Sequence, residues 1–298
     1  SDRGALFHFK IQFDNNDVIN AVDLLAAYPL RDAAGKPLTG RAADSEGLSL
    51  HYITDDLFQT KATALHKPAS QLPPPQALNI TTAQPTDPIE KKHPATASPS
   101  PRSRLPAQKE LLVSFEHQPR IARYSLSGDY LGDVPLPDRL KNINNYRHPN
   151  KALESVTFHP TFGVLTSAEY SLKQYPSEEQ QVYNLRGDEV CRIPVASAEN
   201  SAITALETMP DGSLLVLERS WVSIGKPLII TLRKIYFPKQ QFSHCREKLL
   251  ATLSNADGWY LDNFEGLTHI GRNRYLMISD DNNNPLQQTL LVQFSIKQ

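Results

Sequence analysis

Short apolar runs alternate with polar breaks along most of the chain, and hydrophobic spacing of the helical kind is scarce. "ALFHFKIQF", "RIARYSL", "PLIITLRKIYF" and "TLLVQFSI" are representative. Runs of about 5 to 9 residues rich in β-branched and aromatic side chains, separated by Pro, Asp, Asn and Gly, predict antiparallel strands. The one stretch that suits a helix is a turn or two over 17–25. Its wider context, "VINAVDLLAAYPL", also reads as an outer strand.

The strand pattern repeats. "NFEGLTHIGRNRYLMISDDNN" (263–283) reads as two strands with Glu265 near the start and Asp280 and Asp281 at the end. "KALESVTFHPTFGVLTSAE" (151–169) superposes on it without a gap, Glu154 on Glu265 and Glu169 on Asp280. "ITALETMPDGSLLVLE" (203–218) follows with a one-residue deletion, which puts Thr204 at the first acidic position and Glu218 at the second. "DSEGLSLHY" with Glu46 repeats the opening half, and "KELLVSFE" with Glu116 the closing half. "SDRG", with Asp2, is a closing half alone.

Asp2, Glu116, Glu169, Glu218 and Asp280 therefore mark five repeats. Self-similarity at a period of some tens of residues indicates a repeat architecture, and three or four strands per repeat suit an all-β fold, the β-propeller. A β-sandwich would explain the strands but not an acid returning at the same strand end. Five blades are visible and six are compatible with the pattern. The first repeat lacks its opening strands and the chain does not begin with Met, so further residues are expected upstream.

Composition narrows the function classes. With 31 basic and 32 acidic residues the chain has no general field for nucleic acid, and no apolar run is long enough to span a bilayer. The chain is expected to form one propeller domain over 1–298, interrupted at 66–108 by a segment with ten of the 23 prolines and no Gly or aromatic residue. Such a segment cannot bury enough apolar surface to offset its ordering entropy. It reads as a disordered, partly polyproline II insertion.

"GKPLTGRAADSEGLSL", "ELLVSFEHQPRIARYSL", "SLLVLERSW" and "NFEGLTHIGRNRYLMISDDNNNPLQQTLLVQFSI" resemble the phytase-like family described as having esterase-like activity of phytase. The resemblance spans nearly the whole chain apart from the insertion, with the EGL and SDDN elements as its more specific parts. It implies a propeller, an exported bacterial protein in the periplasm or secreted, and hydrolysis of a phosphoester or related ester.

The residues themselves carry no GxSxG elbow, HExxH, phosphate-binding glycine loop or CxxC. What they offer is acids with arginines close by: Asp2 with Arg3, Glu116 with Arg120, Glu218 with Arg219. Equivalent strand ends of a propeller gather at one mouth, where oxygen ligands from separate blades suit a hard divalent cation such as Ca²⁺. Glu46, Glu154, Glu265, Asp280 and Asp281 are the expected ligands. Arg3, Arg120 and Arg219 would bind the phosphate or other anion and stabilise developing negative charge. His117 is the one histidine placed as a candidate base, and a solvated loop histidine is the bland alternative. The same acids and arginines could instead form inter-blade ion pairs. Cys191 and Cys245 could join adjacent blades as a disulfide or stay as two buried thiols. The expected protein is a monomer acting on a small anionic molecule. A non-catalytic propeller binding a ligand or partner at the mouth, and a scaffold, are the alternatives.

Overall fold

The computed structural model describes residues 3–52, 109–185, 188–238 and 244–297. Seventeen strands and almost no helix are found there, the one α-helix being α1 (Asp138–Lys141). The chain opens with a hairpin of β1 (Ala5–Phe13) and β2 (Ile19–Pro29). The stretch at 17–25 thus takes the strand alternative, because its apolar residues pair with those of β1 rather than lining a helix face.

Four antiparallel sheets follow as the blades of a β-propeller. The first is β3 (Ser45–Tyr52), β4 (Lys109–Phe115), β5 (Arg120–Tyr124) and β6 (Tyr130–Val134). The second is β7 (Leu153–His159), β8 (Gly163–Ala168), β9 (Glu179–Asn184) and β10 (Glu189–Pro194). The third is β11 (Ser201–Thr208), β12 (Leu214–Ser220), β13 (Ile229–Tyr236) and β14 (Arg246–Ser254), and the fourth β15 (Asn263–Gly271), β16 (Arg274–Asp280) and β17 (Leu291–Ser295). The strands that open the blades, β3, β7, β11 and β15, are neighbours in space around the centre.

Blades are held by burial on both faces. On β12, Leu214 and Val216 pack with Leu165, Val182 and Ile193 of the second blade, while Leu215 and Leu217 pack with Phe264, Leu267 and Met277 of the fourth. Such a strand reads as one continuous apolar run, and each fully buried Leu or Val contributes about 1.5–3 kcal/mol. A disulfide joins Cys191 on β10 to Cys245 just before β14, Cα to Cα 5.5 Å, and so ties the outer rims of the second and third blades.

The hairpin β1–β2 packs by Leu6 against Leu111 and Val113 of the first blade. Its tip reaches the fourth blade, where Gln293 Nε2 donates to the Asp17 carbonyl at 2.7 Å and Arg274 pairs with Asp17 at 2.9 Å. The Pro-rich segment 66–108 and Asp2 lie outside the described residues.

Candidate functional site

Every blade has a β-bulge where its opening strand begins. In the second, Leu153 pairs with Ala168 and Ser155 with Ser167, so Glu154 is an extra residue. Glu265 and Thr204 are extra in the same way in the fourth and third blades, and the first blade's register shift spans Glu46 and Gly47. A bulge bends the strand and re-aims a side chain. Here Glu46, Glu154 and Glu265 all line one cavity of about 280 Å³. Gly47 is required by close packing, since a Cβ there would lie 2.7 Å from the Val156 amide nitrogen and 2.8 Å from Ser114 Oγ.

Strand register also fixes the closing positions. Phe115, Ala168 and Ser279 pair with the residues just before the bulges, and the next residues along are Glu116, Glu169 and Asp280. In the third blade the residue paired with Ile203 is Glu218, so the equivalent closing position is Arg219. Adjacent strand residues face opposite sides. Glu218 is fully buried against Arg233, with both guanidinium contacts at 2.6 Å. Arg219 reaches the cavity and donates to Glu265 at 3.0 Å and to Glu169 at 3.1 Å.

The centre of the cavity is a carboxylate cluster. Glu116, Glu154 and Glu169 bring ligand oxygens within 4.8 Å of one another, and all three are buried. Glu169 is balanced by Lys151, whose Nζ donates to both oxygens at 2.8 and 2.7 Å. Burial pushes the Glu116 carboxyl up to about 8. Burial, with Glu169, Glu46, Glu265 and Glu116 around it, holds Glu154 well above the usual carboxylate range. Glu154 Oε2 is buried with no hydrogen-bond partner. An orphaned carboxylate oxygen among carboxylates fits a cation, because a protein ligand set for a hard ion is made of oxygens from several chain segments. Asp44, Glu116 and His117 form a second, overlapping group that could hold a metal, with Asp44 Oδ2 2.5 Å from His117 Nδ1.

Other residues singled out from the sequence lie differently. Asp280 and Asp281 accept backbone amides of Asn282 and Asn283, each at 2.8 Å, and Asn282 rather than either acid lines the cavity. Arg120 stacks its guanidinium 3.6 Å from the Phe115 ring centroid and donates to the Ala42 carbonyl at 2.7 Å. Arg3 is exposed before β1. Asp44, Asn150, Lys151 and Asn263 line the cavity without having been singled out. Asp44 and Asn263 each stand two residues before an opening acid, in "DSE" and "NFE", and that spacing was the available signal.

The chain matches the family model described as phytase-like, esterase-like activity of phytase, over residues 103–283. It belongs to this phytase-like family. The matched span contains Glu116, Glu154, Glu169, Arg219 and Glu265, and the family's description points to hydrolase-like chemistry. No curated protein matches. Among solved structures the chain is similar to a protein of unknown function from Bacteroides caccae, at 13% identity and a TM-score of 0.30, over 62% of this chain and 72% of that one.

Proposed function

We propose that the mouth holds a divalent cation, Ca²⁺ by its preference for an all-oxygen set, and that the protein hydrolyses a phosphoester or related ester of a small anionic molecule. The observation that carries the reading is Glu154: bulged out of β7, 4% exposed, and left with an unpartnered oxygen among Glu116, Glu169, Glu46 and Glu265. Glu46, Glu116, Glu154, Glu169 and Glu265 would hold the ion. A bound divalent cation supplies Lewis-acid polarisation of a phosphoryl or carbonyl oxygen.

The chain's own groups do the rest. Lys151 and Arg219 fix the Glu169 carboxylate, and Arg219 also fixes Glu265. Both cations stand where negative charge on a substrate would be stabilised. Asp44 Oδ2 lies 2.5 Å from His117 Nδ1 and would orient the imidazole so that Nε2 serves as a base for a water. Arg3, Arg120, Asp280 and Asp281 do not line the cavity and have no role at the cluster in this reading. The test is purified protein against phosphomonoesters and carboxyl esters, with Ca²⁺ and with chelator. Turnover that chelator abolishes supports the reading, whereas binding without turnover of any substrate favours a non-catalytic propeller.

We also infer that the protein is exported and monomeric, the Cys191–Cys245 disulfide being the feature that favours an oxidising compartment. The hairpin is best read as the outer half of a fifth blade. Phe7, Phe9, Phe13, Val22 and Leu24 share one face of it and are all at least 38% exposed, and among the described residues β1 pairs only with β2. Leu48, Leu50 and Tyr52 of β3 are equally bare. Two inner strands would cover these surfaces. Hydrogen exchange tests it: fast exchange along the β1 edge fits a half blade, and protection equal to that of β12 contradicts it.

A further inference from the structure

A second cavity, of about 330 Å³, opens beside the carboxylate cluster and is lined by Arg147, His148, Lys151, Tyr170 and Asn200. Among the described residues no carboxylate lines it, in contrast to its acidic neighbour. Lys151 belongs to both.

Arg147 is held firmly without being neutralised. Its Nε donates to the Ser171 carbonyl at 3.0 Å, and its Nη2 to Ser171 Oγ at 3.1 Å and the Tyr175 carbonyl at 2.7 Å. These acceptors are neutral, and among the described residues no acid pairs with it. A guanidinium fixed by carbonyls keeps its full charge and offers its remaining N–H groups in a set direction. Tyr170 and Asn200 are fixed likewise: the Tyr170 hydroxyl donates to Asn200 Oδ1 at 3.2 Å, and Asn200 Nδ2 to the Trp221 carbonyl at 2.8 Å. Asn200 has φ of 57°, a left-handed conformation that Asn tolerates better than most residues.

From this geometry we propose that the Arg147 cavity is an oxyanion subsite that takes a phosphate group, separate from the cation centre. The Nη1 N–H groups that Arg147 keeps, in a cavity shared with His148 and the Lys151 ammonium, suit a tetrahedral oxyanion. Through Lys151 the subsite adjoins Glu169, so an anionic group seated there would lie next to the cluster. The inference stands on the charge and hydrogen bonding of this cavity and does not require that the neighbouring centre be catalytic.

The test is isothermal titration of the whole chain with inorganic phosphate in the presence of chelator. The wild type should bind, and Arg147→Gln should weaken binding at least tenfold while leaving any Ca²⁺-induced rise in melting temperature intact. Because Arg147 also ties down Ser171 and Tyr175, His148→Glu is the second variant. It alters an exposed side chain, adds a repelling charge, and should also weaken phosphate at least tenfold. Phosphate binding that needs Ca²⁺, or that neither variant changes, overturns the proposal. A Ca²⁺ effect that is absent while phosphate still binds would remove the cation reading and leave the subsite standing.

Discussion

Glu218 and Arg219 are neighbours on β12 and serve opposite sides of the blade. Glu218 is locked inside against Arg233, and Arg219 spans the mouth to Glu169 and Glu265. One residue of register decides which is structural and which belongs to the site.

Removing one partner of a buried ion pair costs about 3–5 kcal/mol, because the other charge is left uncompensated. Arg233 keeps Glu247 as a partner, so Glu218→Gln should lower stability in a denaturant titration by less than that. Its effect on a Ca²⁺-dependent melting shift should be nil, since Glu218 does not line the cavity.

Arg219→Gln should behave differently. It leaves Glu169 with Lys151 alone and takes a cation away from Glu265, so the metal-free protein should lose stability while Ca²⁺ restores part of the loss. A melting temperature that Ca²⁺ raises no more in the variant than in the wild type would count against a shared site.

The pH dependence has a definite sign. With its pKa raised to about 8, Glu116 stays protonated when folded and ionises when unfolded, so stability from this group is full below the ordinary carboxylate range. It is lost as pH rises toward 8. Cation binding needs the ionised form. In calorimetry at fixed Ca²⁺, stabilisation by the ion should grow from pH 5 to pH 8, and Glu116→Gln should flatten that growth.

The segment at 66–108, proposed as a disordered insertion, should be the first place a broad-specificity protease cuts, leaving the remaining chain folded by circular dichroism. Resistance where an unfolded control is cut would contradict it.

Much of the site was legible because the repeat preserves it. Glu154 aligns with Glu265 and Glu169 with Asp280 without a gap, and the strand registers of the two blades coincide at each pairing around the bulge. The third blade was misaligned by one residue because its closing position carries Arg219 rather than an acid, so matching acid to acid set Glu218 there, although Thr204 and Arg219 stand as far apart as Glu154 and Glu169; apolar residues on both faces of β12 leave no alternation to show which neighbour faces the axis. The bulges themselves have no local sequence mark beyond the acids they carry. Lys151 and Arg147 lie in the segment leading into β7, where no periodicity aims a side chain, and only the packed chain brings them to the mouth.

The central claim is that Glu154 and the carboxylates around it hold a divalent cation. The most direct measurement is the melting temperature of metal-stripped protein with and without Ca²⁺, for the wild type and Glu154→Gln. At a hundredfold excess over Kd, binding to the folded state alone should add about 2.7 kcal/mol. The account predicts a higher melting temperature in Ca²⁺ for the wild type and no rise for Glu154→Gln, which should remain folded. Identical wild-type curves in Ca²⁺ and in chelator, with elemental analysis finding no retained metal, would contradict it and leave the cluster as a set of protonated and paired acids.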